Sequence, residues 1–148
     1  MTDYPLNDAP FLQYGLIVRP DGRGGFAANV PLIGYHSTEF SIGYGGSGPA
    51  ELALATLAAY LPAPTPEEES ARLELRGGAY ERTAADLSLW ADELGPRKTR
   101  VNRLVFALHQ DFKWDFISTM PDTGGNVSLE DIERWMRTKK ARVCPSAQ

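Results

Sequence analysis

The chain has 148 residues, 43% of them hydrophobic, which suits one domain with enough apolar side chains to bury a core without cross-links. Fifteen basic and 19 acidic residues give a formal charge of -4, so no general pull toward phosphate backbones is expected. The single cysteine, Cys144, excludes an internal disulfide and a cysteine metal cluster and fits a reducing compartment.

Met1 to Pro10 has neither a basic nor an apolar stretch, so no secretory signal is expected and the chain is read as cytoplasmic, starting near Met1. Gln13 to Arg19 reads as a strand, Pro20-Asp21-Gly22 as a turn, and about Gly25 to Ile33 as the second strand of an N-terminal hairpin. Glu39 to Tyr44 is a short third strand with Phe40 and Ile42 on one face, and it ends in Gly45-Gly46-Ser47-Gly48-Pro49. With Gly48 as N-cap, Pro49 falls at the first helical position and Glu51 at the third, reaching back toward the cap. From Ala50 to Leu61 only Glu51, Thr56 and the Tyr60 hydroxyl are polar, the pattern of a helix, Pro49 to Leu61, buried on most sides. Leu52 to Leu61 is also the longest strongly apolar run, about half of the roughly 20 residues a membrane span requires, so no membrane partner is expected.

Pro62, Pro64 and Pro66 end that helix, and Glu67 to Glu69 continue as an exposed acidic linker. Arg72 to Arg76 alternates as a short edge strand would, and Gly77-Gly78 breaks it. Thr83 with Asp86 resembles a cap, and Leu87, Trp90, Ala91 and Leu94 have helical spacing before Gly95-Pro96. Val101, Leu104, Val105, Leu108 and Phe112 also repeat with helical spacing, whereas Phe112, Trp114 and Phe116 alternate as in a strand; a helix through about Ser118 is the preferred reading. Ser128 with Asp131 caps a final amphipathic helix carrying Leu129, Ile132, Trp135 and Met136, and residues 143–148 form a frayed tail. The expected whole is one α+β domain over 1–142: a small antiparallel sheet, the hairpin plus strand 39–44, packed on the buried helix 49–61, with further C-terminal helices.

Glycines between a strand and a helix let the backbone approach another group, and the free N–H groups of a first helical turn attract anions. Gly45, Gly46, Ser47 and Gly48 are therefore candidate ligand-binding residues for a phosphorylated small molecule. Gly43-x-Gly45-x-x-Gly48 matches the dinucleotide fingerprint in letters, but a short polar strand precedes it and a Pro- and Glu-rich stretch follows the helix, so a structural turn is the simpler reading. His36 and His109 are the only histidines; they read as hydrogen-bonded structural residues rather than as metal ligands or a base for Ser47. Lys113 and Trp114, in an aromatic cluster, are further candidate site residues that could stack bases or pack inward. Two basic clusters, 97–103 and 134–142, read first as solvated faces, which leaves nucleic acid an improbable partner. No catalytic set, metal or cofactor is expected.

His36-Ser37-Thr38-Glu39-Phe40, then Gly43-Tyr44-Gly45-Gly46-Ser47-Gly48-Pro49-Ala50-Glu51-Leu52-Ala53-Leu54-Ala55, then His109-Gln110-Asp111-Phe112-Lys113-Trp114-Asp115-Phe116-Ile117, and finally Val127-Ser128-Leu129-Glu130-Asp131-Ile132 make up a composite pattern. It resembles the signature of a family of uncharacterised proteins, catalogued as a domain of unknown function and common in phages, plasmids and actinobacterial-type genomes. That signature reads roughly H-S-P-T-G-F-E-W-G-Y-G-G-S-G-P-A-Q-L-A-L-A-L-L, followed by Y-Q-R-F-K-F/W and a closing helix. Ile42 stands where the family usually has tryptophan, and residues 62–98 look inserted, a stretch that could carry a partner surface peculiar to this member. The resemblance implies no activity or catalytic residue. It implies a small accessory protein acting on a host or phage component, here a non-enzymatic protein that binds a protein partner, such as an inhibitor of a host defence system.

Overall fold

The apolar helix lies at the centre of the structure, a computed structural model that describes residues 9–75 and 87–143. Helix α2 spans Ser47–Tyr60, and every residue from Gly48 to Leu57 is buried. Leu52, Leu54 and Leu57 are wholly enclosed, and burying each contributes about 1.5–3 kcal/mol relative to leaving it in water. The helix starts earlier than the spacing implied: Gly46, not Gly48, is the N-cap, and the Ala50 amide donates to the Gly46 carbonyl. Pro49 remains in the first turn, where an N–H has no helical acceptor, so the correction costs no hydrogen bond.

A short helix α1, Phe11–Tyr14, leads into β1, Leu16–Pro20. Gly15 joins them at φ +80°, and a Cβ there would lie 2.4 Å from the Val127 carbonyl oxygen, so the junction needs glycine for both conformation and space. Strand β2, Phe26–Ala28, pairs antiparallel with β1, as the N-terminal hairpin requires. It is shorter than Gly25 to Ile33 because the Asn29 side chain takes over one of the two bonds of the next rung. Its Oδ1 accepts from the Ile17 amide, and its Nδ2 donates to the Ala9 and Gly15 carbonyls.

The third strand is not Glu39 to Tyr44. That segment touches the sheet only through an isolated bridge between Phe40 and Phe26, although Phe40 and Ile42 are buried as their alternation implied. The third strand is β5, Gly125–Val127, on the other side of β1, giving the order β2-β1-β5.

Within the suspected insert, Pro66–Leu75 is a helix, α3, where Arg72 to Arg76 had suggested a strand. Thr65 and Glu68 make a reciprocal capping box at its start, each side chain accepting from the other's amide. Glu69 is buried rather than part of an exposed linker: it accepts from the Ala91 amide and pairs with Arg100 at 3.1 Å. The Thr83 and Asp86 cap and the Gly77-Gly78 break lie outside the described residues.

A 3₁₀ turn at Leu87–Leu89 precedes strand β3, Ala91–Leu94, which pairs antiparallel with β4, Thr99–Asn102. This hairpin replaces the helix read over 87–94 and the first turn of the helix read from Val101. Its reverse turn is made by Gly95 and Lys98, both at positive φ. Asn102 ends β4 and caps α4, Arg103–Phe112, by accepting from the Leu104 amide, while its Nδ2 donates to the Pro62 and Ser88 carbonyls. Because one buried side chain serves three segments, Asn102→Ala is expected to lower stability by about 2 kcal/mol, measurable by chemical denaturation.

After α4 the chain stays helical in a π-turn, Lys113–Ile117, marked by the Ser118 amide donating to the Lys113 carbonyl. Helix α5, Leu129–Val143, starts as expected with the Ser128 hydroxyl accepting from the Asp131 amide, and it buries Ile132 and Met136. No described helix is long and apolar enough to cross a membrane.

Candidate functional site

Glu51 is the one carboxylate on the buried part of α2, and it is completely enclosed. Its two oxygens accept from four consecutive amides. Ile33 and Gly34 donate to Oε2 at 2.8 and 2.7 Å, and Tyr35 and His36 donate to Oε1 at 3.0 and 2.9 Å. Four amide dipoles directed at one anion replace its lost hydration, so a buried charge becomes an anchor for loop 33–36. The sequence reading placed Glu51 at a helix cap. A lone acid inside an apolar helix was nevertheless the available signal, since such a group must be paired.

The same loop sets His36 opposite His109, with their Nε2 atoms 2.8 Å apart. His109 Nδ1 lies 2.7 Å from the Phe106 carbonyl oxygen, which can only accept, so Nδ1 carries a proton. In neutral His109 the Nε2 atom is then an acceptor, and His36 Nε2 must be the donor. Burial pushes the His109 pKa from 6.5 down to about 4; the Phe106 bond opposes this, while His36 and Lys113 add to it. His36, partly exposed, is also shifted down, first by burial. Tyr35 and Phe106 stack edge-to-face at 5.5 Å beside the pair. Among the described residues no group of three His, Cys, Asp or Glu side chains converges, here or elsewhere.

One turn beyond His109, Lys113 is buried, and its ammonium donates to the Gly45 carbonyl at 3.0 Å. The ammonium also lies 4.5 Å from the Trp114 ring centroid. Trp114 spreads across Gly45, where a Cβ would come within 2.2 Å of the indole, and Tyr44 covers Gly46 in the same way. The glycine turn is thus roofed by two aromatic rings of its own chain. Both rings are also turned to solvent: Tyr44 is 54% and Trp114 58% exposed. Gly48 packs on Ser41, whereas Ser47 is exposed at the start of α2.

The candidate residues therefore form one connected row. His36 meets His109, Lys113 follows His109 by one helical turn and bonds Gly45, Trp114 covers Gly45, Gly46 and Tyr44 complete the turn, and Ser47 and Gly48 continue into α2. Tyr44 and Glu51 are the members that sequence reasoning missed. Of the basic clusters, Arg134 pairs with Glu130 and Asp131, Arg137 with Glu133, Lys139 with Asp111 and Asp115, and Arg103 with Asp92. No protein-family model, curated protein or solved structure matches the chain.

Proposed function

We propose that the chain is a non-enzymatic accessory protein of phage or mobile-element type that binds a host or phage protein, an anti-defence inhibitor being the form this would take. The observation that carries the reading is the exposure of two aromatic side chains, Tyr44 and Trp114, over the glycine turn. Large aromatics held in solvent supply contact area at low entropic cost in protein interfaces. The polar groups around them support the same reading. Glu51, His109 and Lys113 are buried in bonds to the chain itself, which leaves them holding a surface in place.

The double variant Tyr44→Ser, Trp114→Ser is expected to keep its stability within about 1 kcal/mol, because both side chains are mostly in water. The tagged wild-type protein should co-purify with a stoichiometric partner from host or phage-infected cells, and the double variant should lose it. A wild-type chain that stays monomeric and retains nothing at any salt concentration overturns the proposal.

A second reading is favoured by one feature, the Lys113 ammonium beside the turn that opens α2. A cation and a helix N-terminus together suit a nucleotide or another phosphorylated small molecule bound at Gly45–Gly48. Thermal melts against nucleotides, phosphosugars and simple anions test it, since a ligand that binds only the folded chain must raise the melting temperature. Gly46→Leu, which displaces the Tyr44 ring, should abolish such a shift.

A further inference from the structure

A cleft of about 650 Å³ lies between the outer edge of β2 and residues 38–40. The hydrogen bonds of the first hairpin say which backbone groups face it. The Asn29 amide donates to the Ile17 carbonyl, and the Asp21 amide to the Gly25 carbonyl. With Arg19 opposite Ala27, these are the inward-bonded rungs, because rungs alternate along an antiparallel pair. The N–H and C=O of Phe26 and Ala28 therefore point away from β1. Phe26 meets Phe40 there in the isolated bridge. The same register would put Thr38 opposite Ala28, but the two segments diverge after the single bridge, and the gap between them is the cleft. Its apolar lining includes Phe26, Val30, Leu32 and Phe40, and exposed Arg23 and Glu39 stand on its rim.

We infer that this cleft receives an extended peptide segment of a protein partner, which adds to β2 as a further strand. The inference rests on the reading of the chain as a protein-binding module and names a second element of its surface. A strand is the occupant that the geometry selects. An outward-facing rung at Ala28, beside one already used by Phe40, offers a donor and an acceptor at strand spacing, which an extended backbone satisfies. The lining is mixed, with Phe26 and Leu32 offering apolar contact and Asp21, Arg23, Thr38 and Glu39 polar contact, so the inward-facing side chains at alternate positions of the peptide include both kinds.

The test uses the full chain and a displayed library of random peptides about nine residues long, enough to span a strand of ordinary length. Enriched sequences should share a two-residue period, the signature of an extended strand. Synthetic versions should slow amide exchange at Ala28, and Ala28→Pro, which removes that N–H while leaving the Ala27 rung to β1, should weaken them by about tenfold or more. Should Ala28→Pro not fold, N-methylation of alternate peptide amides gives the same information: one set should abolish binding to the wild-type chain and the other should not. A library that yields no binder, or binders indifferent to both changes, overturns the inference. Binders lost in the Tyr44→Ser, Trp114→Ser variant but not in Ala28→Pro would overturn the cleft while leaving the protein-binding reading intact.

Discussion

Glu51→Gln is expected to lower stability by about 4 kcal/mol, a large effect for a substitution that keeps the side chain's shape. The substitution keeps the shape of the side chain and removes only the charge and half of its acceptors. In the native structure both carboxylate oxygens are engaged, each by two amides of loop 33–36. An amide side chain can offer an oxygen to two of these donors. It must present its NH₂ group to the other two, which leaves two buried or part-buried N–H groups facing a donor. For a domain of this size the loss corresponds to a fall in melting temperature on the order of 10–15 °C. Glu51→Asp should be little better, because shortening the side chain withdraws the carboxylate from a cradle whose bonds are only 2.7–3.0 Å long. Equilibrium denaturation checks both. If Glu51→Gln is as stable as the wild type, the carboxylate is not the anchor of the loop. The loop also has a distinct signature: amide exchange at residues 33–36 should accelerate in Glu51→Gln far more than exchange in β3 and β4.

Which parts of this arrangement the sequence exposed follows from how local each signal is. Helix α2 was legible because its burial is written in consecutive residues, and α5 because Ser128 and the spacing of Ile132, Trp135 and Met136 lie within two turns. The purpose of Glu51 was not legible, since its four donors precede it by 15 to 18 positions and present no side chain for a motif to contain. β5 was hidden for a similar reason. Gly125-Asn126-Val127 has a single strong strand former, and its place in the sheet comes from pairing with β1 at the other end of the chain. The hairpin of β3 and β4 was mistaken for helix because Trp90, Ala91 and Leu94 happen to have helical spacing. Positive φ at Gly95 and Lys98 folds Leu94 back onto Thr99, and that pairing overrides the pattern. In α3 the Thr65 to Glu68 capping box was present in the letters, and the proline-rich surroundings masked it.

The candidate site divides along the same line. The glycine turn and both histidines could be singled out as residues, because glycines before a helix and rare imidazoles are visible one at a time. That Trp114 roofs Gly45 depends on the π-turn at Lys113–Ile117, which alters the helical phase where Lys113 and Trp114 must reach the turn. No periodicity announces such an insertion, so the helical reading leaves Trp114 off the apolar stripe, where it is exposed, but cannot say that it covers Gly45.

The histidine pair yields a prediction about pH whose sign is fixed by burial. His109 in the folded chain has a pKa near 4, against 6.5 for an exposed imidazole. Between those values the unfolded chain holds the proton that the folded chain refuses, so the folded state loses stability as pH falls. The contribution is absent above pH 7, grows through 6.5, and levels off below about 4, where the full shift corresponds to about 3 kcal/mol. Between pH 7 and pH 5 this group alone should remove about 2 kcal/mol. The hydrogen-bond geometry explains why the proton is refused. His109 Nδ1 already donates to Phe106, and a proton on Nε2 would point at the Nε2–H of His36 across 2.8 Å. Lys113, one turn further on, adds a second positive charge, which Glu51 only partly offsets. A proton on His36 behaves differently, because it enters at Nδ1 and leaves the Nε2–H donor in place, so the pair survives the first protonation and breaks at the second. His109→Gln, which cannot titrate, should flatten the stability profile between pH 7 and 5 by about 2 kcal/mol relative to the wild type, leaving the carboxylates to govern the steeper loss at lower pH. Parallel profiles for the two proteins would mean that His109 takes up its proton as readily in the folded chain as in the unfolded one, and the account of a refused proton would fall.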